Sequence, residues 1–169
     1  HKVFGEALAI LAGDWLVTHA FGLLAAAPVP AEVVPRLVAA LAEGTEAMIA
    51  GQAADIEGED RPTDGELVRY IHRHKTAALI ETACRLGALC GGAERSAQDA
   101  LACFGRHLGL AFQITDDLLD AGGAEARLGK RVGKDAGASK QTWPAAFGTT
   151  ESVAQAEREV AAAVMALEP

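Results

Sequence analysis

The chain has 169 residues, enough for one sizeable core and short for two domains. Half of the residues are hydrophobic, only 5% are aromatic, and the formal charge is −8. The Ala- and Leu-rich composition favours close helix packing over a sheet, and the acidic excess excludes a general nucleic-acid surface, which needs clustered cations. The longest uncharged run, Trp15 to Ala31, is interrupted by Thr18, His19, Pro28 and Pro30. It reads as a buried helix ending at a proline turn, with no membrane insertion, and no signal-peptide pattern is present.

In chain order, apolar spacing predicts a first helix from about Lys2 to Ala27, with Phe4, Leu8, Leu11, Trp15 and Leu16 on its apolar side. Val29-Pro30 to Pro35 is a turn and helix start, and a second helix carries Val38, Leu41, Met48 and Ile49 through to Glu59. Gly58 to Gly65 is a loop, with Thr63 or Asp64 as the next N-cap. A short helix runs to about Arg73 and a longer one from Lys75 to Leu89. Gly91-Gly92 is a loop, and Ser96 caps a helix that ends in an aspartate cluster, with Leu101, Phe104, Leu108 and Phe112 as core formers. Ala121 to Ser139, rich in glycine and charge, is expected to be loop. Helices from about Gln141 to Phe147 and Glu151 to Leu167 complete the chain.

Cys84, Cys90 and Cys103 have no metal-type spacing and read as reduced core thiols, a cytoplasmic usage. His72 and His74 are two apart and face different ways on a helix, which argues against a zinc pair. The chain opens with helical spacing already under way and stops on an amphipathic helix without a terminator. The expectation is a single domain over residues 1–169, cut at both ends from a longer chain.

Chemistry concentrates in four places. In Ala111 to Asp120, helical rotation of 100° per residue brings Gln113, Asp116 and Asp120 within roughly 60° of one another on an apolar helix. Clustered anionic oxygens beside a core are costly unless paired or bound to cations, and aspartates at i and i+4 suit Mg²⁺. A solvated acidic helix end is the other reading. Gln52, Asp55 and Glu59 form a second polar stripe, which is either a solvated face or the facing wall of a metal site. Lys75-Thr76, at the expected start of a helix, offers a cation, a hydroxyl and a helix N-terminus to an anion, or a plain cap with a surface lysine. From Arg127 to Lys140, five of the chain's fifteen Lys and Arg residues are interleaved with glycines. This is either a solvated basic loop or a lid over phosphate, and its position directly after the aspartates favours a polyanion bridged by Mg²⁺.

In this order the segments resemble the trans-isoprenyl diphosphate synthases, the polyprenyl synthetase family. Phe112-Gln113-Ile114-Thr115-Asp116-Asp117-Leu118-Leu119-Asp120 is similar to the family's second aspartate-rich motif. Gly51-Gln52 with Asp55 resembles its Gly-Gln-x-x-Asp segment, and Lys75-Thr76 its Lys-Thr pair, with Ala77 where glycine is common. Leu128-Gly129-Lys130, Gly133-Lys134-Asp135 and Lys140 with Thr142 resemble its lysine loop, and His1 to Asp14 the helix after the first aspartate-rich motif. That first motif, its neighbouring arginines and the N-terminal helices are not in this sequence.

The resemblance implies an all-α isoprenoid synthase helical bundle, incomplete because the N-terminal helices are absent. It implies a homodimeric, Mg²⁺-dependent prenyltransferase that condenses an allylic diphosphate with isopentenyl diphosphate through an allylic carbocation, the 169 residues alone being inactive. Asp116, Asp120 and Asp55 are then the metal residues. Lys75, Thr76, Gln113, Lys130 and Lys140 are the diphosphate-binding residues, with Lys75, Thr76, Gln113 and Asp116 catalytic. Asp117, further round the helix, pairs with a lysine. A class I terpene cyclase and a non-catalytic regulatory subunit of a prenyl synthase are the alternatives. The lysine loop and Lys-Thr pair favour the synthase over the first, and the intact Asp116-Asp117-x-x-Asp120 over the second.

Overall fold

The structure, a computed structural model, describes residues 1–127 and 140–168. Among them all regular structure is helical: α1 (Glu6–Ala25), α2 (Val34–Gly58), α3 (Gly65–Ile71), a π-helical turn (His72–Ala77), α4 (Ala78–Cys90), α5 (Arg95–Arg127), α6 (Trp143–Phe147) and α7 (Thr149–Met165). The long α5 is the axis, packed against α4 and α7, while α2 lies along α4 and the π turn. Two small cores hold these layers. Leu37, Ala40 and Leu89 gather Leu24, Val29, Val33 and Leu86 at one end. Val68, Ile114 and Trp143 gather Leu118, Ala146, Phe147 and Ala156 at the other, directly under the polar stripes.

Local chemistry explains most of the boundaries. Pro35 sits in the first turn of α2, where its missing N–H leaves no bond unmade. Asp64 caps α3, its Oδ1 accepting from the Glu66 N–H at 2.9 Å. Ser96 lies inside the first turn of α5 instead of capping it. α5 also runs on to Arg127, into the start of the stretch Ala121 to Ser139 expected to be loop, because Ala121, Ala124, Glu125 and Ala126 are strong helix formers around the two glycines; the rest of that stretch lies outside the described residues. Of the expected core residues on α5, Leu108 and Phe112 are exposed, as is Cys90, whereas Cys84 and Cys103 are half-buried and unpaired.

Two departures bear on function. The break expected between Arg73 and Lys75 does not exist: α3, the π turn and α4 form one continuous rod, with Ile71 and Ala78 in right-handed helical geometry on either side. Lys75 and Thr76 therefore do not occupy a helix N-terminus. They sit in a wide turn that pushes side chains out of regular register, a feature common at functional positions. Second, α1 begins at Glu6 and buries no residue. Leu8, Leu11, Trp15 and Leu16 are each about 60% exposed, and only its C-terminal end, with Leu24, reaches a core. By length and composition α1 is also apolar enough to cross a bilayer, a property it shares with the core helices of globular proteins.

Candidate functional site

The π turn is clamped between two helices at glycines. A Cβ on Gly51 of α2 would lie 2.2 Å from the Lys75 backbone nitrogen, and one on Gly109 of α5 would lie 2.5 Å from the Ala77 Cα. No side chain fits at either place, so both helices approach the turn backbone to side. This close packing sets three walls around one cleft of about 170 Å³.

The α2 wall carries Asp55, with Glu59 just past the helix end, the π turn carries Lys75 and Thr76, and α5 carries Gln113, Asp116 and Asp120. Lys140 and Thr142, with the buried Gln141 between them, complete the lining. Seven of the eight residues singled out from sequence thus face a common space. The eighth, Lys130, lies outside the described residues.

Within the cleft the groups are already wired together. Lys75 Nζ lies 2.5 Å from Oδ2 of Asp55, both side chains only partly exposed. Thr76 Oγ1 donates to Gln113 Oε1 at 2.5 Å, and Gln113 Nε2 donates to Asp117 Oδ1 at 3.1 Å and, more weakly, to Asp116 Oδ2 at 3.5 Å. Thr76 spends its only proton on Gln113, so its free lone pairs remain available to a cation.

Asp117 corrects one expectation and supplies a residue the sequence reading missed. It is buried, and among the described residues its partners include no lysine. Its Oδ2 accepts from the Trp143 backbone N–H at 2.8 Å and from Nε2 of His72 at 3.1 Å. Burial alone would push its carboxyl up. Hydrogen bonds from His72, Trp143 and Gln113, together with the charge of His72, outweigh burial and hold it below the usual carboxylate range. His72, 2% exposed, was visible in the sequence only as half of a rejected zinc pair. What marked it was its position four residues before Thr76, on the face that α5 covers. Gln141 is the other missed residue: it is buried, accepts from the Asp64 N–H at 3.0 Å and donates to the Gly58 carbonyl at 3.0 Å.

No three His, Cys, Asp or Glu side chains form a closed metal cage among the described residues. Asp116 and Asp120 instead present exposed oxygens one helical turn apart on a single wall. That donor set fits Mg²⁺, which keeps several waters and takes few carboxylates plus phosphate oxygens. Asp55 faces them from across the cleft with one oxygen already on Lys75.

The chain matches the polyprenyl synthetase family over residues 1–166. It is 50% identical over 150 residues to the farnesyl diphosphate synthase of Geobacillus stearothermophilus, covering 86% of this chain and 50% of that protein. It is 41% identical over 162 residues to the geranylgeranyl diphosphate synthase of Cyanophora paradoxa, covering 93% of this chain and 54% of that one. Among solved structures, the geranyltransferase of Helicobacter pylori complexed with magnesium and isoprenyl diphosphate superposes with a TM-score of 0.80 at 29% identity, covering 99% of this chain and 55% of that chain. The chain spans about half the length of the relatives it matches.

Proposed function

The chain belongs to the polyprenyl synthetase family, and from that premise we propose that the whole protein is a trans-isoprenyl diphosphate synthase. It condenses an allylic diphosphate with isopentenyl diphosphate to give a longer polyprenyl diphosphate and inorganic pyrophosphate. Residues 1–169 are one part of a single isoprenoid synthase domain. The observation that carries this reading is the cleft in which two exposed aspartates, a lysine–aspartate pair, a threonine–glutamine pair and a second lysine converge. Such a set is built for a polyanion held by cations.

In this reading Lys75 keeps one of its three ammonium donors on Asp55 and offers the others to diphosphate oxygens. Lys140 and Lys130 neutralise the same group. Asp116 and Asp120, with Asp55 opposite, would hold Mg²⁺, which when bound would offset the negative charge that builds on the leaving diphosphate. The cations thereby favour cleavage of the allylic C–O bond. Thr76 and Gln113 turn oxygen dipoles toward the allylic cation without capturing it. The double bond of isopentenyl diphosphate forms the new C–C bond, and a proton then leaves the adduct, with the departed pyrophosphate as its acceptor.

The exposed apolar face of α1 is, in the same reading, a core surface covered by the rest of a cytoplasmic homodimer. The test is to supply the full-length protein with dimethylallyl diphosphate, isopentenyl diphosphate and Mg²⁺. Chain-elongated diphosphates with stoichiometric pyrophosphate support the reading. Cyclic hydrocarbon formed from the allylic substrate alone identifies a cyclase instead.

A further inference from the structure

Residues 140–142 lead into α6, with Thr142 in extended geometry at φ −117° and ψ 154°. In such a strand-like segment successive side chains face opposite ways. Exposure alternates along it: Gln141 and Trp143 are buried while Lys140 is exposed and Thr142 partly so, and Lys140, Gln141 and Thr142 all line the cleft. Each inward residue is fastened. Gln141 bonds the loop between α2 and α3 at the Asp64 N–H and the Gly58 carbonyl. Trp143 is held from α5 by Asp117 through its backbone N–H, and its ring lies 5.3 Å from that of His72. Asp117 in turn is held by His72 and Gln113.

We propose that Asp117 and His72 are positioning residues that form a clasp, pinning the Trp143 backbone to α5 and so fixing Lys140 and Thr142 in the lining of the diphosphate site. Asp117 thus differs in task from its neighbours Asp116 and Asp120, although all three are aspartates of one motif. Three features of the geometry carry this. Asp117 is turned under the helix and buried while the other two are exposed. Its oxygens are occupied by the Trp143 amide, His72 and Gln113. His72 has a buried Nδ1 without a hydrogen-bond partner among the described residues, so its interaction with Asp117 is the polar reason for its place there. That Lys140 binds diphosphate rests on the function proposed above; that the clasp holds the segment does not.

Two measurements on the full-length protein separate these. Amide hydrogen exchange at Trp143 reads the clasp directly. It should rise about tenfold or more in Asp117→Asn and in His72→Leu, and return toward the parent rate in His72→Gln, which restores an N–H donor. Unchanged exchange in both disruptive variants overturns the clasp, whatever the protein catalyses. Affinity for inorganic diphosphate with Mg²⁺ then reads positioning in a double-mutant cycle of His72→Leu and Lys140→Ala. The loss caused by His72→Leu, about tenfold, should largely vanish once Lys140 is alanine. Additive losses overturn the positioning role. Diphosphate binding that is absent from the parent protein overturns both the positioning role and the proposed function, and leaves the exchange result standing for the clasp. If His72→Leu fails to fold, the cycle is run with Asp117→Asn.

Discussion

The Lys75 ammonium lies 2.5 Å from the Asp55 carboxylate, joining the π turn to α2 across the floor of the cleft. The pair is partly open to solvent, at 37% and 25% side-chain exposure, so its contribution to stability is small, about 0.5–1 kcal/mol. Its consequence for binding is larger. Asp55 holds Lys75 where a diphosphate can share it, and Asp55→Ala releases a flexible four-carbon side chain. The expected outcome is a melting temperature within a few degrees of the parent and a loss of substrate diphosphate affinity of about tenfold. Calorimetry and initial-rate kinetics measure the two; a large stability loss with unchanged KM would assign the pair a purely structural role.

Gly51 should tolerate no side chain. Because the atoms facing it are backbone of Lys75 and His74 and the His74 Cβ, none of which a rotamer change moves, a methyl group cannot be absorbed. Gly51→Ala should cost about 1–3 kcal/mol in urea unfolding and also depress activity, since the turn that must move carries Lys75 and Thr76. Parent-like stability and activity together would show that α2 and the turn are further apart than described.

Much of this was legible in the sequence, and the exceptions share a cause. The helical class, the Asp64 cap and the convergence of Asp55, Lys75, Thr76, Gln113, Asp116 and Asp120 follow from periodicity, turn chemistry and the family resemblance. The π turn does not. It depends on Gly51 and Gly109 admitting two helices to the same backbone, a tertiary condition that no local propensity encodes. The roles of His72 and Asp117 escape the sequence for a related reason. Helical spacing says which residues share a face, but the neighbouring element decides which carboxylate of Asp116-Asp117 is buried, and that element is the Trp143 segment 26 residues away. The apolar face of α1 was read as core and stands exposed because nothing among the described residues packs on it.

Asp117 should give the protein an acid-sensitive stability. Its carboxyl titrates lower in the folded state than in the unfolded chain, where an aspartate sits near about 3.9. A depressed folded pKa means the stabilisation is fully present above the unfolded value and is lost as pH falls through the folded one. The stability gap between the parent and Asp117→Asn should therefore be widest above about pH 5 and narrow steadily toward about pH 2. Urea titrations across that range measure it. A gap independent of pH would mean that Asp117 is not held as a carboxylate.

Expressed by itself, the 169-residue chain should be poorly behaved in solution. Phe4, Leu8, Leu11, Trp15 and Leu16 present one long apolar surface, well beyond the isolated exposed leucines of ordinary monomers. Light scattering should show aggregates, and unfolding should be broad. A monodisperse monomer with a sharp transition would show that α1 finds its cover within these residues.

If the cleft works on diphosphate through Asp116, turnover of Asp116→Asn in the full-length protein should collapse. The substitution keeps size and hydrogen-bonding capacity and removes the negative charge that Mg²⁺ requires. Because the side chain is exposed, helical circular dichroism and melting should be unchanged. On allylic and isopentenyl diphosphates kcat should fall by about a hundredfold or more. Turnover close to that of the parent enzyme would contradict that role for Asp116.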